Sequence, residues 1–297
     1  MAGVKREVWT GEVVRAFTHT GEFLSEIPDM SRYVDNDVIH LVELGVKPDV
    51  LINNTTYPIP IQDIDDEDIS ISLDKFQTKQ TEVSDDDLYA ASYNIIAERT
   101  KSHAESLEEK TADKAAHALA PAADTTATPI VPTTGAANDA GHLKLLPADL
   151  VTLKQKLDDE KVPKKGRILV LCNQHVADLL TTSESFEKQY IDNKEGKVLN
   201  LYGFKIYEHA ACPQYYLDGS DWKKRAFGSE QATDREASFA FYPQRMFKAR
   251  GTVKYYLSEA RNNPGTQANY FNYRLRFICL PKVNEAIGAL VSPDESE

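Results

Sequence analysis

The feature that most constrains this chain is an alternating strand, Ile69-Ser-Ile-Ser-Leu73, that leads into one very long helix. Strict alternation gives the strand one apolar and one polar face. From about Asp85 to Ala120 no Gly or Pro interrupts, and Pro121 stops the run. Ser84 offers a cap hydroxyl with an acid three residues on, and Asp85-Asp86-Asp87 fills the first turn with acids. At a rise of about 1.5 Å per residue such a helix spans about 50 Å, more than a compact domain of this size needs. Its best stripe is Ser92, Ile96, Thr100, Ala104, Leu107, Thr111, Ala115 and Ala118. The spacing is helical but most of these side chains are small, so the helix cannot be the centre of a bundle core. The pattern predicts one continuous spar of more than about seven turns, lying shallowly on something flat.

The 297 residues suffice for one large or two ordinary domains. With 41% hydrophobic and 9% aromatic residues a real core is expected and wholesale disorder is excluded. The formal net charge of −12 argues against a direct nucleic-acid binder, because phosphate contacts need an excess of Lys and Arg. It fits a surface that must stay soluble, or one that faces packaged nucleic acid without sticking to it. The three cysteines, Cys172, Cys212 and Cys279, are odd in number and lack CxxC spacing, so reduced, mostly buried thiols are expected. The N-terminal Met-Ala-Gly-Val-Lys-Arg-Glu has no apolar signal-peptide region, and no run of about 18 apolar residues could span a membrane.

Lys5 to Thr18 reads as a short amphipathic helix on an N-terminal arm, carrying Val8, Trp9, Val13, Val14 and Phe17. Val38 to Leu44 is a strand candidate, and Val50-Leu-Ile52 with Tyr57-Ile59-Ile61 could form an extended hairpin. So polar and Pro-rich a hairpin would project rather than pack. The Ala/Thr/Pro/Gly tract from Pro121 to Gly141 is either a hinge or an extended crossing. From Leu146 the pattern turns α/β. Pro147 suits a first helical position, with Leu150, Leu153 and Leu157 on one face. A turn at Val162-Pro163 to Gly166 precedes a buried strand, Arg167 to Cys172. Helical segments with Val176, Leu179 and Leu180, then Phe186 to Tyr190, lead to a strand pair turning at Gly203. Ser238 to Phe241, Val253 to Leu257 and Tyr270 to Leu280 are strands, and the chain closes on Asn284 to Val291.

No nucleotide, serine-hydrolase or zinc-protease motif is present; Gly196-Lys197 lacks the upstream Gly of a P-loop. The seven histidines (His19, His40, His103, His117, His142, His175, His209) are scattered without zinc-ligand spacing, and His103 and His117 are expected to be solvated. Asp63 to Asp68 looks like a calcium loop but puts Asp68 where an EF-hand needs Gly, so a solvated acidic edge is expected. Tyr270, Tyr273, Arg274 and Arg276 could stack and pair with single-stranded nucleic acid. An amphipathic strand with buried aromatics explains them better. Lys223-Lys-Arg225 reads as solvated loop charge, and Lys101 with Glu105 as an i,i+4 pair worth tenths of a kcal/mol. No catalytic, cofactor-binding or metal-binding residue is assigned.

Taken in order, these elements resemble the Hong Kong 97-type major capsid proteins of tailed bacteriophages. Ile69-Ser-Ile-Ser-Leu-Asp-Lys-Phe76 entering Asp85-Asp-Asp-Leu88 is similar to an extended loop returning to a spine helix. Ala112-Asp-Lys-Ala-Ala-His-Ala-Leu-Ala120 resembles the Ala-rich end of that helix. Leu146-Pro-Ala-Asp-Leu-Val151, with Lys156 through Leu171, resembles the opening of the axial domain. Tyr202-Gly-Phe-Lys-Ile-Tyr207 resembles its later strand, and Glu285-Ala-Ile-Gly-Ala-Leu290 a frequent C-terminal ending. The likeness covers the chain from about Asn36 onward.

The resemblance implies an α+β fold: an N-terminal arm (1–36), an extended loop (37–74), a peripheral domain (75–145) with the spine helix at 85–120, an inserted α/β axial domain (146–229), and return strands with the C-terminus (230–297). It implies a structural protein, not an enzyme, self-assembling into pentamers and hexamers of an icosahedral shell around double-stranded DNA. Expected partners are further copies, a portal, a scaffold that is separate or very short, and decoration proteins, with no membrane. The expected place is the virion, and the host cytoplasm during assembly. Some members cross-link Lys to Asn; Lys47 is the only Lys in the loop, and no motif assigns it that role. Two alternatives stand beside this reading: an encapsulin-like cellular compartment, and an α/β hydrolase or transferase around Ile168 to Leu171, which a pocket joining His175, Cys172 and an acid would support.

Overall fold

The structure, a computed structural model, describes residues 22–44, 66–86, 95–138, 141–192, 200–219, 221–231 and 233–294. The expected arm helix, the Val50 to Ile61 hairpin and Lys47 lie outside the described residues.

The described chain starts with two 3-10 turns, Glu22–Glu26 and Ser31–Tyr33. Strands β1 (Val34–Asp35), β2 (Val38–Leu44) and β3 (Asp66–Ser72) form a three-stranded antiparallel sheet. β2 and β3 pair over seven residues, from Val38↔Ser72 at the base to Leu44↔Asp66. The alternating strand does not run directly into the helix. Two short strands intervene, β4 (Asp74–Gln77) and β5 (Thr81–Ser84), both too brief to show a period. Asp85 and Asp86 are helical. The long helix α1 runs Ile95–Leu119, 25 residues and about 37 Å. The expected continuity through 87–94 lies outside the described residues.

The Ala/Thr/Pro tract turns at Thr125–Thr128 and then contributes β6 (Ile130–Pro132). Then come α2 (Pro147–Asp159), with Pro147 at its first turn, and β7 (Arg167–Leu171). Next are α3 (Asn173–Thr182), α4 (Glu184–Asp192), β8 (Asn200–Leu201) and β9 (Phe204–Glu208). Between β8 and β9 the chain turns through Tyr202 and Gly203, both at positive φ. β10 (Gln214–Asp218) and β11 (Asp221–Lys224) form a hairpin that the sequence reading missed. β12 (Arg235–Phe241), β13 (Met246–Ser258), β14 (Ala268–Pro281) and β15 (Ile287–Val291) complete the chain.

An eight-stranded sheet runs β11-β10-β12-β7-β9-β8, with β15 joining β12 to β6. The sheet around β7 therefore draws β6, β12 and β15 from outside 146–229. Every side chain of β7 is buried. Ile168 and Val170 face one core, Leu169 and Leu171 the other, as a period of two requires when both faces are covered. Leu150, Leu153 and Leu157 of α2, Leu179 of α3 and Phe186 of α4 cover the second face. The first face shares its core with α1 and with a four-stranded sheet, β13-β14-β4, in which β5 also pairs β14.

Candidate functional site

For a spar on a sheet, the working parts are the seat of the helix, its end, and the joint from which the hairpin leaves. The seat is made of small residues. Thr100, Ala104, Leu107, Thr111, Ala112, Ala115, Ala116, Leu119 and Ala120 are all buried. Opposite them β14 turns in Phe271, Tyr273, Leu275 and Phe277, and turns Tyr270, Arg274 and Arg276 the other way. The amphipathic-strand reading of this segment holds. A buried Leu contributes about 1.5–3 kcal/mol and an Ala methyl about 0.8, so many close contacts share the stabilisation. Tyr273 Oη donates to Thr100 Oγ1 at 3.2 Å.

The two histidines of α1 are half-buried and hydrogen-bonded rather than simply solvated, contrary to expectation. His103 lies 2.6 Å from Thr81 Oγ1 and makes ring contacts with Phe271 and Tyr273. His117 Nε2 lies 2.8 Å from the Arg225 carbonyl oxygen. Burial holds both pKa values below the ordinary imidazole value; Arg99 adds to this for His103, Lys224 and Lys114 for His117. A helical position reads as solvated only until a second element is laid on that side, and β5 and the β10–β11 hairpin do this.

That hairpin closes the C-terminal end of α1. Lys224 Nζ donates to the carbonyls of His117 (2.7 Å) and Ala120 (2.6 Å), two of the acceptors a helix end leaves free. Burial with only backbone partners brings the amine down to about 8. Tyr215 Oη donates to Pro121 O at 2.5 Å. Arg225 pairs with the Asp234 carboxylate through Nε (2.9 Å) and Nη2 (2.7 Å), its guanidinium 3.9 Å from the Tyr216 ring centroid. Lys223-Lys-Arg225 is thus a clamp rather than solvated loop charge. Only Lys223, paired with Asp218, behaves as the sequence suggested.

The hairpin joint centres on Asp37. Asn36 and Asp37 take positive φ (49° and 63°) in the β1–β2 turn, a conformation these two residue types tolerate best. Asp37 Oδ1 accepts from Thr252 N (3.2 Å) and Thr252 Oγ1 (3.1 Å), and its carbonyl accepts from Leu73 N (2.9 Å). Arg276 Nη1 donates to Leu73 O at 3.0 Å. Gly251 sits in the β13 irregularity; a Cβ there would lie 2.6 Å from Asp37 Oδ1.

His175 is fully buried between two hydroxyls, with Nδ1 2.6 Å from Ser238 Oγ and Nε2 2.8 Å from Ser292 Oγ. Ser238 Oγ also accepts from Cys172 N at 2.9 Å. Among the described residues no carboxylate hydrogen-bonds to this group. Desolvation pushes the Cys172 thiol up to about 12 and His175 down to about 4, which leaves a protonated thiol and a neutral ring, the reverse of an activated nucleophile and base. The cysteines are free and buried, as expected. His209 meets Asp113 of α1 at 3.3 Å, His142 meets Asp294 at 2.5 Å, and Lys101–Glu105 is a loose exposed pair at 4.0 Å. The run Asp63 to Asp68 and Gly196-Lys197 lie wholly or partly outside the described residues.

A family model described as phage capsid protein matches residues 66–289, about three quarters of the chain. The chain belongs to this family of structural capsid proteins. Its fold is that of solved capsids at low identity. The "Capsid of Ralstonia phage GP4" matches with a TM-score of 0.65 at 7% identity, over 91% of this chain and 87% of that one. "Mycobacterium phage Che8" matches with a TM-score of 0.62 at 16% identity, over 92% and 91%. The "Crystal structure of virus-like particle from Pyrococcus furiosus" matches with a TM-score of 0.58 at 11% identity, over 96% and 99%. No curated protein matches by sequence. The fold is the Hong Kong 97-type fold, the role is that of a major capsid protein of a bacteriophage, and neither the compartment nor the enzyme reading is favoured.

Proposed function

We propose that copies of this chain close into pentamers and hexamers of an icosahedral shell around double-stranded DNA, and that the chain acts as tile rather than enzyme. The observation that carries this reading is the layout of α1. A long helix with a small-residue seat lies on β14, clamped at one end by β10–β11, while β2–β3 leaves from the Asp37 joint. Residues 1–36 serve as arm, 37–74 as the loop that laps onto a neighbour, 75–145 and 230–297 as the peripheral part, and 146–229 as the part that meets its copies around a symmetry axis. Heterologous contacts of this kind close into rings and then into a shell. A portal, a scaffold and decoration proteins are the proposed partners. Assembly takes place in the host cytoplasm and the product is the virion. The net charge of −12 keeps the inner wall from holding the genome.

Negative-stain microscopy of the expressed protein tests this. Shells, sheets or tubes are expected. Protein that stays monomeric, even with its phage's portal and scaffold present, sinks the proposal.

A further inference from the structure

Between α1 and the β4–β5 segment lies an open cleft of about 570 Å³. Lys75, Lys79, Arg99 and Lys110 line it together with His103 and Phe227, and among the described residues no Asp or Glu does. In a chain of net charge −12 this is an unusual concentration of cations. Lys110 is engaged by Asp113 at 3.0 Å. Lys75, Lys79 and Arg99 are exposed, and among the described residues none of them makes an ion pair. The opposite charge is concentrated in the loop. Residues 37–74 hold nine acids and one lysine, and five of the acids fall in Asp63-Ile-Asp-Asp-Glu-Asp68.

In its own subunit β3, which continues that run, is anchored away from the cleft. β3 is extended from Asp66 to Ser72, about 20 Å, and pairs with β2 throughout. The base of the hairpin packs through Ile39 and Ile71 with Phe247 and Ala249 of β13, on the other edge of β14 from β4. We infer that Lys75, Lys79 and Arg99 form the receptor for the acidic run Asp63–Asp68 of a second copy. This rests on the proposal that the loop laps onto a neighbour, and it supplies that contact with a site and a register. The pairs would be solvent-exposed, so they set register and salt dependence more than bulk affinity.

A charge swap tests it. Lys79→Glu with Arg99→Glu, and separately Asp65→Lys with Asp66→Lys and Glu67→Lys, should each cut the yield of sedimenting shells at least tenfold. The two sets combined should restore it to within about threefold. A combination no better than its parents, or parents that assemble normally, overturns the assignment. A peptide spanning residues 62–69 is titrated against unassembled subunit by fluorescence anisotropy. It should bind wild type weakly, weaken further with salt, and ignore the Lys79→Glu/Arg99→Glu protein, whose circular dichroism confirms folding. If wild type builds no shell, the tile proposal falls while the peptide still decides the cleft. A duplex DNA oligonucleotide that binds through Arg99 where the peptide does not would give the cleft to nucleic acid and overturn the inference.

Discussion

His175 has no exposed surface, and its two ring nitrogens face the hydroxyls of Ser238 and Ser292. Burial holds its folded pKa at about 4, against an ordinary value of 6.5. The folded value lies below the unfolded one, so from pH 6.5 down to 4 the unfolded chain binds the extra proton and stability falls as pH falls. A gap of this size corresponds to about 3.4 kcal/mol when complete, at about 1.36 kcal/mol per pH unit. Between pH 7.5 and 5.0 the part already lost is about 2 kcal/mol. Carboxylates held low by partners, such as Asp158, Asp234 and Asp294, lose their contribution only as pH falls through the ordinary carboxylate range and below; Asp178 and Glu236, held high by burial, act in the opposite sense and do so in wild type and variant alike.

The test is urea unfolding of unassembled subunit at both pH values for wild type and His175→Gln. The variant should be weaker at pH 7.5 by about 1–3 kcal/mol, since buried hydroxyls lose a partner. It should then lose about 2 kcal/mol less than wild type on going to pH 5.0. His103 and His117, also held low by burial, leave a residual slope in both proteins. Equal losses in the two would refute the assignment of the acid sensitivity to His175.

Three further perturbations probe the seat, the clamp and the joint. Ala116→Leu forces a larger side chain into a fully buried position of α1 and should cost about 1–3 kcal/mol, read as a lower urea midpoint with an unchanged slope. Lys224 has a folded pKa of about 8 against 10.5, so the unfolded chain holds more protons between these values and stability rises with pH. The buried thiols, held high by desolvation, lose stability over the same range in both proteins, so the difference between wild type and Lys224→Met is what is read in the same titration, and between pH 7.5 and 9.5 it should grow by at most about 2 kcal/mol in favour of wild type. Asp37→Ala removes two hydrogen bonds to Thr252 and leaves a non-Gly, non-Asn residue at positive φ, for a loss of about 1–2 kcal/mol. If the joint aims the hairpin, this variant should lower shell yield by more than a surface control of equal stability.

The parts of this fold that sequence reveals are those fixed by local periodicity. The β3 alternation, the Pro147 start of α2, the apolar run Ile168–Leu171 of β7 and the Gly203 turn each follow from a few neighbouring residues. What stayed hidden depends on partners distant in sequence. β10 and β11 are short and polar at their ends, and only pairing with each other and with β12 makes them strands. His117 looks solvated until the Arg225 carbonyl, 108 residues later, reaches it. Lys224 looks like loop charge until the end of α1 supplies two carbonyls. The signal that could have found it is the helix end itself, since Ala120-Pro121 leaves free acceptors that some donor must meet.

These hidden contacts share a direction: they tie α1 to the eight-stranded sheet. A small-residue seat alone sets a helix close to a surface but resists sliding poorly, because alanine methyls offer shallow ridges. Lys224 and Tyr215 fix the axial position of its last turn, and Asp113 with His209 fixes its rotation one turn earlier. Asp37 fixes the hairpin on β13 and β14 by the same means, directional polar contacts at a few points. A shell tile needs this division of labour. Contacts spread along a flat interface give adhesion without angle, whereas curvature requires each projecting element to leave its subunit in one defined direction. The polar clamps at Lys224 and Asp37 are therefore where a change of one side chain should alter the geometry of assembly by more than its cost in subunit stability alone would explain.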